Sequence, residues 1–178
     1  DLRRSDGPYV AVSATDITSG SRVIFTPQNF DFLCADLGSF RLSRAAAASS
    51  AVPVVLSPLT INNYGGSCGF KAPPWVGLFL GSAEPPRPAA RVLKRLQELQ
   101  AIGNGAKTPY LHLVDGGVAD NLGLRGVLDI LSLFEALHEA GQKTPLDHVK
   151  RIIVFVVNSL STPATDWSRT EVAPGPIS

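Results

Sequence analysis

The sequence predicts an α/β protein with three layers, helices packing on both faces of a largely parallel central sheet. Three observations predict it. PYLHLVD, residues 109–115, is a mostly apolar run with the composition of a strand. NLGLRGVLDILSLFEALHEAG, residues 121–141, reads as a long amphipathic helix directly after it. RIIVFVVNS, residues 151–159, follows as a continuous β-branched run, the pattern of a strand buried on both faces. Strand, helix and strand in that order make a right-handed crossover between parallel neighbours.

The remaining elements follow in chain order. PYVAVSATDI alternates apolar and small residues from Tyr9 and predicts a strand; SGSRVIFTP predicts a second, with Gly20 at the turn of a hairpin-like pair. DFLCADLGSF is a short connector. LSRAAAASSA predicts a buried helix, with Ser43 as N-cap, four consecutive alanines as helix formers and Pro53 beyond its end. Residues 57–88 carry prolines at 58, 73, 74, 85, 86 and 88 and read as one long loop, a feature often tied to function. RPAARVLKRLQELQAIGNG predicts a helix with Val92, Leu96, Leu99 and Ile102 on one stripe and Gly103 as its stop. Asp120 or Asn121 is expected to cap the long helix, and Gly141 to end it.

The totals bound the function. A chain of 178 residues, 44% hydrophobic and 17% charged, fits one globular domain. The net charge of +1 gives no basic field for nucleic acid. No apolar run is long enough to cross a bilayer, and DLRRSDGP does not read as a signal peptide, so any membrane contact is expected to be peripheral. The first residue is Asp and Met is absent, which reads as a segment of a longer protein or a processed chain. Residues 1–160 read as the domain and 161–178 as a polar, Pro-rich tail.

Candidate chemistry centres on LVDGG. Asp115 lies at a strand end, where reactive groups gather in α/β sheets, and Gly116 and Gly117 permit a sharp turn with positive φ if needed. Capping of the next turn is the plainer role for such an acid. The other groups point elsewhere. Cys34 and Cys68 have neither CxxC spacing nor a nearby His, so they form a poor metal site; free core thiols are the expectation and one disulfide the alternative. His112 does not share a strand face with Asp115, and His138 and His148 are scattered, so no metal is expected. Arg87, Arg91, Lys94 and Arg95 read as a solvated helix face; docking to anionic headgroups beside WVGLFLG is the sharper reading. Asp16 is expected to serve a turn and Asn121 a cap.

LVDGGVADNLGLR, taken with SRAAAASSAVP and VSATDITSGSRVIFTP, resembles the C-terminal part of the patatin-like phospholipase family, from about Tyr9 to Ser159. The resemblance implies a lipid acyl hydrolase with a Ser–Asp dyad, no cofactor, and a lipid or phospholipid substrate. Asp115 matches the dyad base, and Gly116 and Gly117 match its turn. An exposed carboxylate is a weak base toward a hydroxyl. A dyad therefore requires Asp115 to be largely buried, here among His112, Leu113, Val114 and Val118, and aimed at an unoccupied position. The family's Gly-x-Ser-x-Gly nucleophile elbow and its oxyanion loop have no match in residues 1–40. The chain would then supply only the Asp, its sheet would be incomplete, and alone it would be inert. A peripheral membrane or cell-envelope setting is favoured over cytosol. Two other readings stand beside this one. One is a non-catalytic α/β module that binds lipid or protein. The other is an esterase using Ser67 of GGSCG, although the prolines that follow it oppose an elbow helix.

Overall fold

The structure, a computed structural model, describes residues 10–81 and 90–158. The expected tail at 161–178, and Arg87, lie outside the described residues. Among the described residues there are four strands: β1 (Ser13–Asp16), β2 (Arg22–Ile24), β3 (Leu59–Asn62) and β4 (Tyr110–Asp115). They form one sheet in the order β2-β1-β4-β3, and every neighbouring pair is antiparallel.

This corrects the expected three-layer fold with a largely parallel sheet. The reason lies in β4. Its two edges are taken by β1 and β3, both running against it, so no edge remains beside it for a parallel partner. Residues 151–158, expected as the second strand of a crossover, join no ladder and are exposed. Phe155 is 88% exposed, the opposite of a strand covered on both faces.

The hairpin of β1 and β2 forms as its sequence predicts. Gly20 takes φ +69° at the turn, and the buried Asp16 carboxylate accepts hydrogen bonds from Ser19 N, Ser19 Oγ and His112 N. Asp16 is thus a turn residue that also fastens β1 to β4. Helix α1 (Pro27–Phe32) begins at Thr26, whose side chain accepts from Asn29 N. Replacing Thr26 with Ala should cost about 1 kcal/mol of stability, measured by urea titration.

Helix α2 (Leu42–Ser49) starts two residues earlier than the Ser43 cap implies: Arg41 is the N-cap and makes no side-chain cap bond. Of its alanines only Ala45 and Ala48 are buried, one stripe at helical spacing, so the helix is half-exposed. The stretch read as loop contains β3 and helix α3 (Pro74–Gly81). Pro73 and Pro74 start that helix instead of preventing it, since proline fits the first turn.

Helix α4 (Ala90–Ile102) joins two cores. Val92 and Leu96 pack with Val76 and Phe79 of α3 and with Ala136 and Leu137 of α6 (Leu124–Glu139). Ile102 belongs instead to the main core under the sheet, with Val23, Phe25, Phe30, Leu33, Leu111 and Leu113. Gly103 follows its end, and Gly141 (φ +73°) closes α6, as the sequence predicts. Cys34 and Cys68 are joined in a disulfide, not free. Cys34 sits just past α1 and Cys68 in the glycine-rich loop after β3, and Tyr64 N donates to Leu33 O between the same two segments.

Candidate functional site

Asp115 is the last residue of β4, with Ala14 as its cross-strand partner on β1. Its main chain is held on both sides. The N–H donates to Ala51 O (2.9 Å), just past α2, and the carbonyl accepts from Thr15 Oγ1 (2.9 Å) on β1. Gly116 N then donates to Ser49 O (3.2 Å) at the end of α2. Helix α5 (Gly117–Asp120) begins at once, and Gly117 N donates to Asp115 Oδ1 at 2.7 Å. The carboxylate therefore folds back over its own turn and is oriented by a charge-assisted bond.

Both glycines are needed for space, not for left-handed backbone. Gly116 has φ −61° and ψ −28°, ordinary helical values. A Cβ on it would lie 2.4 Å from Ser13 O, a backbone atom that cannot swing away. On Gly117 a Cβ would meet Asp115 Oδ1 at 3.0 Å and Asn121 Oδ1 at 3.2 Å. The Asp115 and Asn121 side chains thus converge over Gly117. Asn121, expected as the cap of the long helix, instead closes α5. The start of α6 is satisfied by Asp120, whose carboxylate accepts from Arg125 N (3.1 Å) and Gly126 N (2.9 Å).

The expectation of a largely buried Asp115 needs correction. The residue is half-buried, because β4 ends at the rim of the sheet and Val118, expected to cover it, is 59% exposed. Other apolar side chains that face solvent are Val52, Val54, Val55 and Leu56 after α2, Ile17 after β1, and Leu122 after α5.

Ser67 belongs to a different place. In the β3–β4 register Asn62 faces Tyr110 and Leu59 faces Leu113, so the loop after β3 leaves the sheet at the start of β4. Asp115 is at the other end of that strand, about 17 Å away at the usual rise per residue. Ser67 lines an open groove of about 800 Å³ there, with Phe32, Phe70, Gln100 and Asn104. It cannot share a proton with Asp115 at that distance. Ser67→Ala should leave ester turnover of the intact gene product unchanged in a chromogenic ester assay.

The remaining candidates take structural positions. His112 Nδ1 lies 3.0 Å from Thr60 Oγ1 on β3. His138 Nδ1 lies 3.4 Å from Asp147 Oδ1. Arg91 and Lys94 are exposed, but Arg95 is not part of a solvated face. Its guanidinium donates to Arg22 O (2.6 Å) and Asn29 Oδ1 (2.9 Å), and burial, then the proximity of Arg22, lowers its pKa. In WVGLFLG, Val76 and Phe79 are buried. Among the described residues no cluster of three metal-ligating side chains occurs, and no helix is long and apolar enough to cross a membrane.

One feature escaped sequence reading. Arg22, buried on β2, donates to Asp120 (3.0 Å) and Asp129 (2.5 Å), tying α5 and α6 to the sheet. The available signal was a lone arginine inside the strand SRVIF. A buried arginine requires carboxylates, and the helix beginning seven residues after Gly117 carries Asp129 on its second turn.

No family model, no curated protein and no solved structure matches this chain.

Proposed function

We propose that this chain carries the general base, Asp115, of a serine–aspartate acyl hydrolase acting on lipid esters. The serine lies on polypeptide of the same gene product beyond these 178 residues. Its hydroxyl attacks the ester carbonyl while Asp115 takes the proton. The tetrahedral intermediate collapses to an acyl-serine, and the departing alkoxide takes that proton. Water then attacks the acyl-serine, with Asp115 receiving its proton and returning it to the serine oxygen.

The observation that carries this reading is the anchoring of the carboxylate. Asp115 is fixed through both backbone groups and through Gly117 N, at a strand end, with room kept for its carboxylate by Gly117. A preoriented carboxylate is what a base without a histidine partner requires. The resemblance of LVDGGVADNLGLR to the patatin-like motif supports the same role. The exposed apolar residues 52, 54–56, 118 and 122 support a substrate with acyl chains. The Cys34–Cys68 disulfide supports an oxidising compartment, and with it a cell-envelope setting.

The test is hydrolysis of p-nitrophenyl acyl esters and phosphatidylcholine vesicles by the intact gene product, with the 178-residue chain alone run beside it. The dyad predicts turnover by the first and none by the second. Turnover by neither, with vesicle binding retained, is the outcome for a non-catalytic lipid-binding module, a reading to which the same exposed apolar residues would also be suited.

A further inference from the structure

We infer that Thr15 is a positioning residue for Asp115, an inference that rests on the reading of Asp115 as the base. Thr15 is 1% exposed, in the middle of β1, and faces Val114 across the ladder. A buried hydroxyl has one proton to give and lone pairs to fill, and leaving either unmet is costly. Both uses of the Thr15 hydroxyl fall on the Asp115 turn. Oγ1 donates to Asp115 O at 2.9 Å and accepts from Ala119 N at 3.2 Å, a proton that Ala119 shares with Gly116 O at 3.2 Å.

The hydroxyl thus clasps the two ends of the turn. One end is the carbonyl of the residue that bears the carboxylate, and the other is the third residue of α5. Between them lies Gly117, whose N–H orients Oδ1. The β-branched side chain has few χ1 wells, so the oxygen is held in place by its own stereochemistry as well as by packing. Valine has nearly the same shape and no hydroxyl. In Thr15→Val the Asp115 carbonyl and part of the Ala119 N–H lose their partner, the first turn of α5 loosens, and Gly117 N leaves the carboxylate. Serine keeps the oxygen and restores the clasp.

Amide exchange by NMR on the 178-residue chain tests this without any catalytic assay. In Thr15→Val, Gly117 N–H should exchange about tenfold faster and change its proton shift, while Leu113 and Val114 keep their protection. Thr15→Ser should return Gly117 to the wild-type values. In the intact gene product, Thr15→Val should lower kcat with little change in KM, and Thr15→Ser should recover it. Unchanged Gly117 exchange in Thr15→Val overturns the inference, as does a uniform loss of protection across the core. Should the valine variant fail to fold, Thr15→Ser decides alone: wild-type Gly117 protection supports the clasp, and lost protection despite the retained hydroxyl overturns it. Failure of Asp115 as base is distinguishable, because it would leave these exchange results standing.

Discussion

Replacing Arg22 with Ala is expected to destabilise the protein by about 3–5 kcal/mol, because it strands two carboxylates that the fold has already removed from water. The side chains of Arg22, Asp120 and Asp129 are 8%, 5% and 21% exposed, so solvent screens them little. Asp120 keeps its bonds from Arg125 N and Gly126 N, but those two amides do not carry a full opposing charge. Asp129 lies one and a half turns along α6 and loses its ion pair with the chain's sheet. The thermal midpoint should fall by roughly 6–20 °C, read by calorimetry. A triple variant, Arg22→Met with Asp120→Asn and Asp129→Asn, should recover most of that loss, since removing both sides of a buried pair is often near neutral. A loss below about 1 kcal/mol in Arg22→Ala would mean that the cluster is solvated and behaves as a surface pair.

Gly116→Ala is the second large effect, and its contrast with Gly117→Ala is informative. The new methyl at 116 would press on the Ser13 carbonyl of the neighbouring strand. Relief requires β1 and β4 to separate where Ala14 pairs with Asp115, at about 1–3 kcal/mol or more. Stability and ester turnover should therefore fall together. At 117 the methyl meets only the ends of the Asp115 and Asn121 side chains, which can rotate aside. Gly117→Ala should leave the chemical-denaturation midpoint near wild type while turnover drops, because the carboxylate is pushed from its place. Equal loss of stability in both variants would show that the glycine at 117 serves the fold alone.

Local pattern made much of this legible. The 3.6-residue stripe of α4 and the Gly103 and Gly141 stops need only neighbours in sequence, and each appears where the residues put it. The β1–β2 hairpin is equally local. Strand direction is different, because it depends on which distant segment reaches an edge first. β1 and β3 occupy both edges of β4, and nothing in PYLHLVD or RIIVFVVNS announces that. Proline density misled in a similar way: the residues that break a helix interior also begin one, so α3 was hidden within an apparent loop.

At the site, the motif exposed Asp115 and its two glycines but not their supports. Thr15 reads as one more β-branched strand residue, and its hydroxyl matters only because antiparallel pairing sets it beside β4. The burial expected for Asp115 failed because Val118 turns outward at the sheet rim, a property of the α5 turn that no apolar count contains. Arg95 looked solvated on a helical wheel, yet the residues it meets come from β2 and α1.

The central claim is that the Asp115 carboxylate takes the proton during acyl transfer. Ester turnover by Asp115→Asn in the intact gene product measures this most directly, since the amide keeps the shape and an acceptor for Gly117 N but cannot act as base. Turnover lower by about 10²–10⁴-fold, at unchanged thermal stability, is the predicted result. Turnover equal to wild type would contradict it.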